Sequence, residues 1–243
     1  MWLIAEYRPA SLFSFRSGIA TSSGAKTLFL PTPFAIRTAL LDTAIRTKGV
    51  AAGRAAFDWI KPLSIAVRPP ERVVVTNLFA KILKPTRKEE AEEAMDRTIA
   101  FREYAQLEGI MALAFNVAEE YLHDLTMLLV QINYFGKRGC FFQMIRAPQR
   151  VEDLPVGFIP MDGVYIQDNQ IKGPGPQAFV PGLIQMMDDW GESLTFDKVN
   201  IYTDEKIDLG KDRVRKSIIL PYRLIRSSKG FSYYERIQLP CIV

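Results

Sequence analysis

Hydrophobic and polar positions at the start of the chain predict a strand followed by a helix. Residues 2–8 alternate as the two faces of a strand do. Thr32 can cap a helix and Pro33 suits its first turn, apolar residues then recur at helical spacing, and Gly49 is a plausible stop. Residues 72–83 hold a β-branched and aromatic run, which predicts the second strand.

The middle of the chain continues this pattern. Residues 50–71 suggest a short packed turn or helix and then a proline-rich approach to the second strand. Residues 84–103 are dense in charge and predict an exposed insertion, for which a helix is one option. A third strand is predicted over 111–117, a second helix over 119–132 and a fourth strand over 140–145.

The order strand, helix, strand, strand, helix, strand over residues 2–145 is that of the ferredoxin-like split βαβ fold. The fold class is therefore α+β, ferredoxin-like (RRM-like), with a charged insertion between strands two and three. Residues 1–147 form the first unit, with the insertion near 84–103. Residues 148–243 form a Pro/Gly-rich connection, with Gly173–Pro176 at its centre, and a small β-rich C-terminal subdomain. Its strands are expected at 199–202, 216–220, 222–226 and 231–237.

Composition narrows the function classes. The 243 residues include two cysteines, Cys140 and Cys241, and a single histidine, so disulfide frameworks and multi-histidine metal sites are excluded. The cysteine usage favours a reduced, cytoplasmic setting. No segment reaches the ~18 apolar residues of a membrane span, and no membrane partner is expected. A net charge of +4 permits a nucleic-acid partner without requiring one.

Candidate catalytic residues are sparse. His123 lies on the border of the second predicted helix, where a structural or exposed histidine is the simpler interpretation. The pair Asp188–Asp189 has the oxygen ligands of a divalent-ion site, but a capped turn or solvated surface explains it as well. No phosphate loop of the GxxxxGK[ST] type is present. The sequence therefore predicts neither a metal nor a cofactor.

Features of nucleic-acid binding are better represented. Lys137 and Arg138 lie between Gly136 and Gly139, in a turn flanked by aromatic residues that include Tyr134. Cations neutralise phosphates, glycines allow close approach, and aromatic faces stack bases. A basic hairpin turn beside core aromatics is the alternative.

Two further segments have a similar composition. An early loop carries Phe15, Arg16 and Lys26, and alone it would pass as an ordinary surface loop. Residues 211–236 contain eight cations, among them Arg213 and Arg215, against two acids, an excess larger than that of the whole chain. Such asymmetry indicates a polyanion or an acidic partner, although a solvated hairpin face remains an alternative.

Three motifs in the right order resemble the fifth family of CRISPR-associated (Cas) proteins, within the RAMP superfamily. Residues 10–16, Ala-Ser-Leu-Phe-Ser-Phe-Arg, are similar to the family's small-Ser-Phe-Arg loop. Residues 27–41 resemble its Leu-Pro-x-Pro-x-x-Ile-Arg-Gly-Ala-Leu helix start, except that Thr38 stands in place of glycine. The third motif is the Gly-Lys-Arg-Gly turn at 136–139 before strand four.

The resemblance implies a non-catalytic subunit of a type I interference complex, Cascade, in antiviral defence. Such a subunit has a ferredoxin-like palm and a thumb between strands two and three, and it caps the 5′ handle of the CRISPR guide RNA. The implied protein partners are the large subunit and the backbone subunit, and target DNA next to the PAM is reachable through the complex. The candidate RNA-binding residues are Phe15, Arg16, Lys26, Arg37, Tyr134, Lys137, Arg138, Arg213 and Arg215.

Three alternatives stay open. One branch of the family cuts precursor guide RNA with a Tyr/Lys/His set, so a metal-independent endoribonuclease is the first. The second is a RAMP subunit of a type III complex. The third is an RNA-binding subunit unrelated to CRISPR, because the ferredoxin-like fold hosts many functions.

Overall fold

A computed structural model describes residues 1–20, 24–86, 94–163, 165–167, 170–172 and 182–237. The strands, numbered in chain order, are β1 Trp2–Pro9, β2 Phe15–Arg16, β3 Gly24–Ala25, β4 Thr27–Leu28, β5 Ser64–Arg68, β6 Arg72–Pro85, β7 Met95–Glu108, β8 Met111–Asn116, β9 Phe142–Val151, β10 Ile159–Pro160, β11 Tyr165–Gln167, β12 Gln170–Lys172, β13 Leu183–Trp190, β14 Arg213–Leu220, β15 Tyr222–Ser227 and β16 Phe231–Arg236. The helices are α1 Pro33–Lys48, α2 Val50–Ile60, α3 Leu122–Val130, preceded by the 3-10 turn Glu119–Tyr121, and α4 Phe196–Val199. Within these ranges no helix is long and apolar enough to cross a membrane.

The central sheet, here called the palm, has the strand order β10-β5-β8-β1-β9, and its neighbouring strands run antiparallel. Strands β1, β5, β8 and β9, with α1 and α3 as crossovers, reproduce the order 4-1-3-2 of a ferredoxin-like fold. The predicted α+β class and ferredoxin-like order are therefore confirmed. The buried Tyr7 hydroxyl on β1 donates to the Leu129 carbonyl at 2.8 Å and fixes α3 against the sheet.

Local signals place α1 where the sequence predicts it. The Thr32 side chain accepts a hydrogen bond from the Ala35 N–H, and Pro33 is the first helical residue. The helix ends at Gly49, which has a φ of 87° and donates to the Ile45 carbonyl. Because that positive φ favours glycine, the same residue turns the chain into α2. The short helix or turn expected after residue 50 is thus an eleven-residue helix.

The predicted second strand is wrong in its position. The second strand of the palm is β5 at Ser64–Arg68, within the stretch interpreted as a proline-rich approach. The β-branched run of 72–83 does form a strand, but Pro69 and Pro70 separate it from the palm. It pairs with β7 instead, from Arg72 opposite Glu108 to Pro85 opposite Met95. A run of strand-forming residues does not specify its partner, which is why the pattern placed it in the wrong sheet.

The insertion between the second and third palm strands contains two long paired strands, and the helical option is wrong for its described residues. Residues 84–85 end β6 and residues 95–103 lie in β7, while 87–93 fall outside the described residues. The described charged residues of this stretch, Lys84, Asp96, Arg97, Arg102 and Glu103, lie on the two strands, where strand alternation and not helical periodicity governs exposure. The two strands belong to a second sheet of order β15-β16-β6-β7-β3.

The C-terminal third contains most of the predicted strands, but its buried side chains join the same core as the palm helices. Strands β14, β15 and β16 confirm the expectations for 216–220, 222–226 and 231–237. The strand expected at 199–202 is wrong, because Thr195 caps the short helix α4 and a turn follows. Strand β16 pairs with β6, so the last hairpin extends the sheet of the insertion. The Gly173–Pro176 centre of the connection lies outside the described residues.

A buried ion network attaches the ribbon β13–β14 to α1. Arg37 is 5% exposed; its Nε donates to Asp189 Oδ1 at 2.9 Å, and its two other nitrogens donate to the carbonyls of Ile60 and Leu63 at 2.8 Å. The second carboxylate oxygen of Asp189 accepts from Lys216 Nζ at 2.8 Å. One guanidinium therefore connects α1, the end of α2 and β13.

We expect Arg37→Met to lower the free energy of unfolding by about 3–5 kcal/mol, because it removes one of the two cations paired with the buried Asp189 carboxylate and leaves two carbonyls without their donor. Urea denaturation measures the change. The matched control is Arg46→Ala, which removes an exposed i,i+4 pair with Asp42 and should cost about 0.5 kcal/mol or less. Equal denaturation midpoints for the two variants would contradict a structural role for Arg37.

Candidate nucleic-acid interface

Three arginines from distant parts of the chain line one cleft. Arg16 follows the early loop on β2, and Arg213 and Arg215 lie two residues apart on β14, so the alternation of the strand puts both on one face. The cleft has a volume of about 360 Å³ and includes Gly18 and Asp188 in its lining. The sequence predicted all three arginines, and the fold brings them together.

Hydrogen bonds orient the arginines of the cleft, and Arg213 is also paired with a carboxylate. Arg215 Nη2 donates to the Gly18 carbonyl at 3.0 Å, and Arg16 Nη2 donates to the Ala20 carbonyl at 3.1 Å. Arg213 forms an ion pair with Asp188, with its Nε at 2.8 Å, and its guanidinium lies 4.5 Å from the ring centre of Phe34. A guanidinium has five N–H donors, so these contacts leave donors for an anion. Three cations against one carboxylate give the cleft a net positive charge.

Gly18 lies close against the polar wall of the cleft. The Gly18 position has Asp188 Oδ1 and Arg215 Nε only 3.2 and 3.3 Å from where a Cβ would stand. A side chain there would crowd the carboxylate and the guanidinium that form the cleft wall. This requirement for glycine was not apparent from the sequence, because Arg215 is 197 residues away.

The basic turn lies on the other side of β2. Gly136 and Gly139 have φ of 67° and 98°, values that favour glycine, and Lys137 and Arg138 between them are exposed. A Cβ on Gly136 would lie 3.5 Å from the ring of Phe15. The turn therefore packs against Phe15. Because the next residue, Arg16, lines the arginine cleft, the basic turn and the cleft are adjacent.

Two aromatic residues that the sequence predicted to bind RNA, Phe15 and Tyr134, instead contact other residues of the protein. Phe15 is buried, with its ring centre 4.7 Å from that of Phe13, and it is not available to a base. The Tyr134 hydroxyl donates to Asp42 Oδ2 at 3.1 Å; partial burial and then this carboxylate raise the pKa of the phenol. Phe141, which flanks the turn and is 48% exposed, is instead the aromatic face open to solvent.

The other predicted residues fall into two groups. Lys26 is exposed and its Nζ lies 3.5 Å from Glu103 Oε1, so its charge is partly balanced. Arg37 is the clear correction: its guanidinium is buried in the network with Asp189 and does not reach a surface. It was selected as part of a motif that begins a helix, and such a motif does not distinguish a buried arginine from an exposed one.

The candidate catalytic and metal residues are dispersed. Asp188 and Asp189 point to opposite faces of β13, and each forms an ion pair, with Arg213 and Arg37 respectively. His123 is exposed on α3. Among the described residues, no group of three or more histidine, cysteine or acidic residues is placed to hold a metal ion.

Comparison with known proteins finds similarity over part of the chain. No model of a known protein family matches the chain. A curated relative, the CRISPR-associated protein Cas5 of Archaeoglobus fulgidus, is 34% identical over 104 residues, which are 42% of this chain and 46% of that protein. The match thus spans about half the length of the curated relative.

Solved structures of CRISPR proteins are similar in outline. A CRISPR protein from Archaeoglobus fulgidus has a TM-score of 0.43 at 12% identity, covering 98% of this chain and 92% of that one. A chain of a CRISPR RNA-guided surveillance complex has a TM-score of 0.46 at 15% identity, covering 90% of each chain. A chain of the Type III-B Cmr-beta complex has a TM-score of 0.45 at 9% identity, covering 96% and 86%.

The chain thus combines a ferredoxin-like palm with a 104-residue similarity to a CRISPR-associated protein. Over that region, the curated match confirms the resemblance to Cas5 proteins that the sequence motifs predict.

The cleft generates a prediction about RNA affinity. Arg16→Ala combined with Arg215→Ala should weaken binding of a single-stranded RNA about tenfold or more, because charged hydrogen bonds to phosphates are lost. If each arginine neutralises one phosphate, the slope of log affinity against log salt concentration should fall by about 1.4. Fluorescence anisotropy at several salt concentrations measures both quantities.

The same measurement of RNA affinity tests the basic turn and a control pair of arginines. Lys137→Ala with Arg138→Ala should weaken RNA binding by about 1–3 kcal/mol without affecting folding, because both side chains are exposed. Arg72→Ala with Arg150→Ala removes the same number of exposed cations elsewhere and should change affinity less than about twofold. Equal losses in all three variants would mean that net charge, not this interface, determines affinity.

Proposed function

We propose that this chain is a subunit of a CRISPR effector complex of the Cascade type, which binds and caps the 5′ handle of the guide RNA. The name of the curated relative, Cas5, supports membership in the CRISPR machinery. Since the match covers about half of that protein, the role of the whole chain rests on its own interface.

The cleft of Arg16, Arg213 and Arg215 is the observation that carries the proposal. Guanidinium groups bind phosphate oxygens through paired N–H donors, and they outnumber the carboxylates here. Phosphate contacts of this kind position a nucleic acid without reading its sequence. The cleft accordingly supplies affinity and register for an RNA backbone.

Single-stranded RNA fits the interface better than a duplex. The exposed ring of Phe141 follows the turn that holds Lys137 and Arg138, so a stacking face and phosphate donors lie close together along the chain. Unpaired bases stack on such faces, whereas the bases of a duplex are already stacked on one another. A repeat-derived handle is a single-stranded segment of this kind.

The proposal includes protein partners and a compartment. Capping one end of a guide RNA brings the subunit next to the large subunit and the backbone subunit, and through the complex next to target DNA near the PAM. The complex acts in the cytoplasm, in antiviral defence.

The proposed role is binding without catalysis. RNA cleavage by an internal 2′-hydroxyl requires a base, a donor for the leaving oxygen and charge stabilisation in one pocket. His123 is on the first turn of α3, and the basic turn follows the other end of that helix, about 10 Å along its axis. The hydroxyl of Tyr134 is engaged by Asp42. The cleft thus combines phosphate donors with no histidine in its lining.

Incubation of the protein with precursor repeat RNA tests binding and cleavage together. We expect a stable complex, RNA recovered at full length with or without a chelator, and weak competition by duplex DNA at equal nucleotide concentration. Specific cleavage that disappears in His123→Ala or Tyr134→Phe would replace this role with that of an endoribonuclease. Equal affinity for duplex DNA would remove the handle as the ligand.

A further inference from the structure

Strand β9 is an edge of the palm sheet. It pairs with β1 on one side, and at the start of its other side the Phe142 N–H donates to the Asn133 carbonyl at 2.9 Å. Among the described residues, no strand pairs with the outer side of β9 beyond that point. Edge backbone groups of this kind readily pair with another extended chain.

An apolar groove runs beside this edge. Its volume is about 640 Å³, and it is lined by Val130 and Ile132 at the end of α3 and by residues 141–147 of the strand; we call it the edge groove. Val130 is half exposed, and Phe141 and Ile145 also present their side chains to solvent. An apolar wall beside unpaired peptide groups matches an extended peptide, which supplies backbone donors and acceptors and a side chain at every second position.

The length of the free edge is limited. Pro148 has no N–H to donate, and the pairing of β9 with β1 shifts register twice, between Met144 and Arg146 and between Arg146 and Gln149. Residues 143–147, roughly 17 Å at the rise of a β-strand, therefore form a short edge that bends at Ile145. This length accommodates a segment of about five residues.

The charge of the edge specifies the occupant. Residues 133–151 contain four cations and no acidic residue. Arg146 and Arg150 pair with Glu6 and Glu119, whereas Lys137 and Arg138 remain exposed. Two copies of this edge would place like charges opposite each other, which disfavours self-pairing. An acidic segment is complementary to it.

We infer that the edge groove binds a short, extended, acidic segment of a partner protein, which adds a strand to the palm beside β9. Apolar side chains on one face of that segment pack on Val130 and Ile145, and its carboxylates lie near the cations of the edge. The edge groove does not include the arginine cleft, but it shares Phe141 with the candidate RNA interface and lies beside the basic turn. The inference itself does not depend on RNA binding.

The probe is a labelled nine-residue peptide that alternates valine with glutamate and is capped at both ends. We expect fluorescence anisotropy to show binding, and hydrogen exchange to show slower exchange of backbone amides within 143–147. Ile145→Asp should weaken the peptide about tenfold or more, since it places a charge of the same sign as the peptide in the groove. The control Ile184→Asp changes an exposed isoleucine on β13 and should alter affinity less than about twofold.

Two further measurements keep the inference falsifiable. Val130→Asp changes a groove residue that lies on α3 and not on the strand. It should weaken peptide binding by a similar factor even if Ile145→Asp unfolds the protein, which thermal denaturation will reveal. A peptide with N-methylated central residues cannot donate to the edge and should bind at least tenfold more weakly. Equal binding of the methylated peptide, or absence of binding by the unmodified one, would overturn strand addition. Competition by single-stranded RNA with the same dependence on Ile145 would assign the groove to RNA instead.

Discussion

The buried contact of Arg37 with Asp189 is the constraint on which the candidate interface depends. Asp189 faces inward because it accepts from both Arg37 and Lys216. Strand alternation then turns its neighbour Asp188 outward, opposite Arg215 in the register of the ribbon. A slip of one residue would exchange the two faces and bury the arginines of the cleft. A structural ion network therefore determines where the anion-binding groups point.

The second constraint is the packing of the basic turn on Phe15. The positive φ of Gly136 lets the turn pass over the Phe15 ring, and the alternation of β2 directs Arg16 to the opposite side. A buried aromatic residue thus holds two exposed basic elements next to each other. Phe15 contributes to the candidate interface through its buried position.

Local features of the sequence predicted much of the fold. Thr32, Pro33 and Gly49 define the limits of α1 through short-range bonds, and the apolar run of 111–117 matches β8 within one residue. The position of the second palm strand was not predictable in the same way. Both Ser64–Arg68 and the run from Arg72 form strands, and only long-range pairing decides which of them joins the palm.

In the candidate site, too, local sequence predicted some features, whereas others depend on long-range contacts. Arg16, Arg213 and Arg215 were each selected from local composition, but their convergence depends on contacts across nearly 200 residues. Arg37 was selected from a motif and proves to be buried, since a single sequence does not reveal whether a helix-start arginine faces a ribbon or solvent. Tyr134 is engaged by Asp42, which lies about ninety residues earlier on α1, so local sequence did not reveal that contact.

The central claim is that the cleft and the basic turn form one RNA surface, and cross-linking tests it most directly. Repeat-handle RNA that carries a photoreactive uridine is bound to the intact protein, irradiated and digested, and the cross-linked peptides are identified by mass spectrometry. The account predicts cross-links within residues 13–20, 134–142 and 209–215. Cross-links confined to the pocket of Trp59 and Tyr121, with none in these three segments, would contradict it.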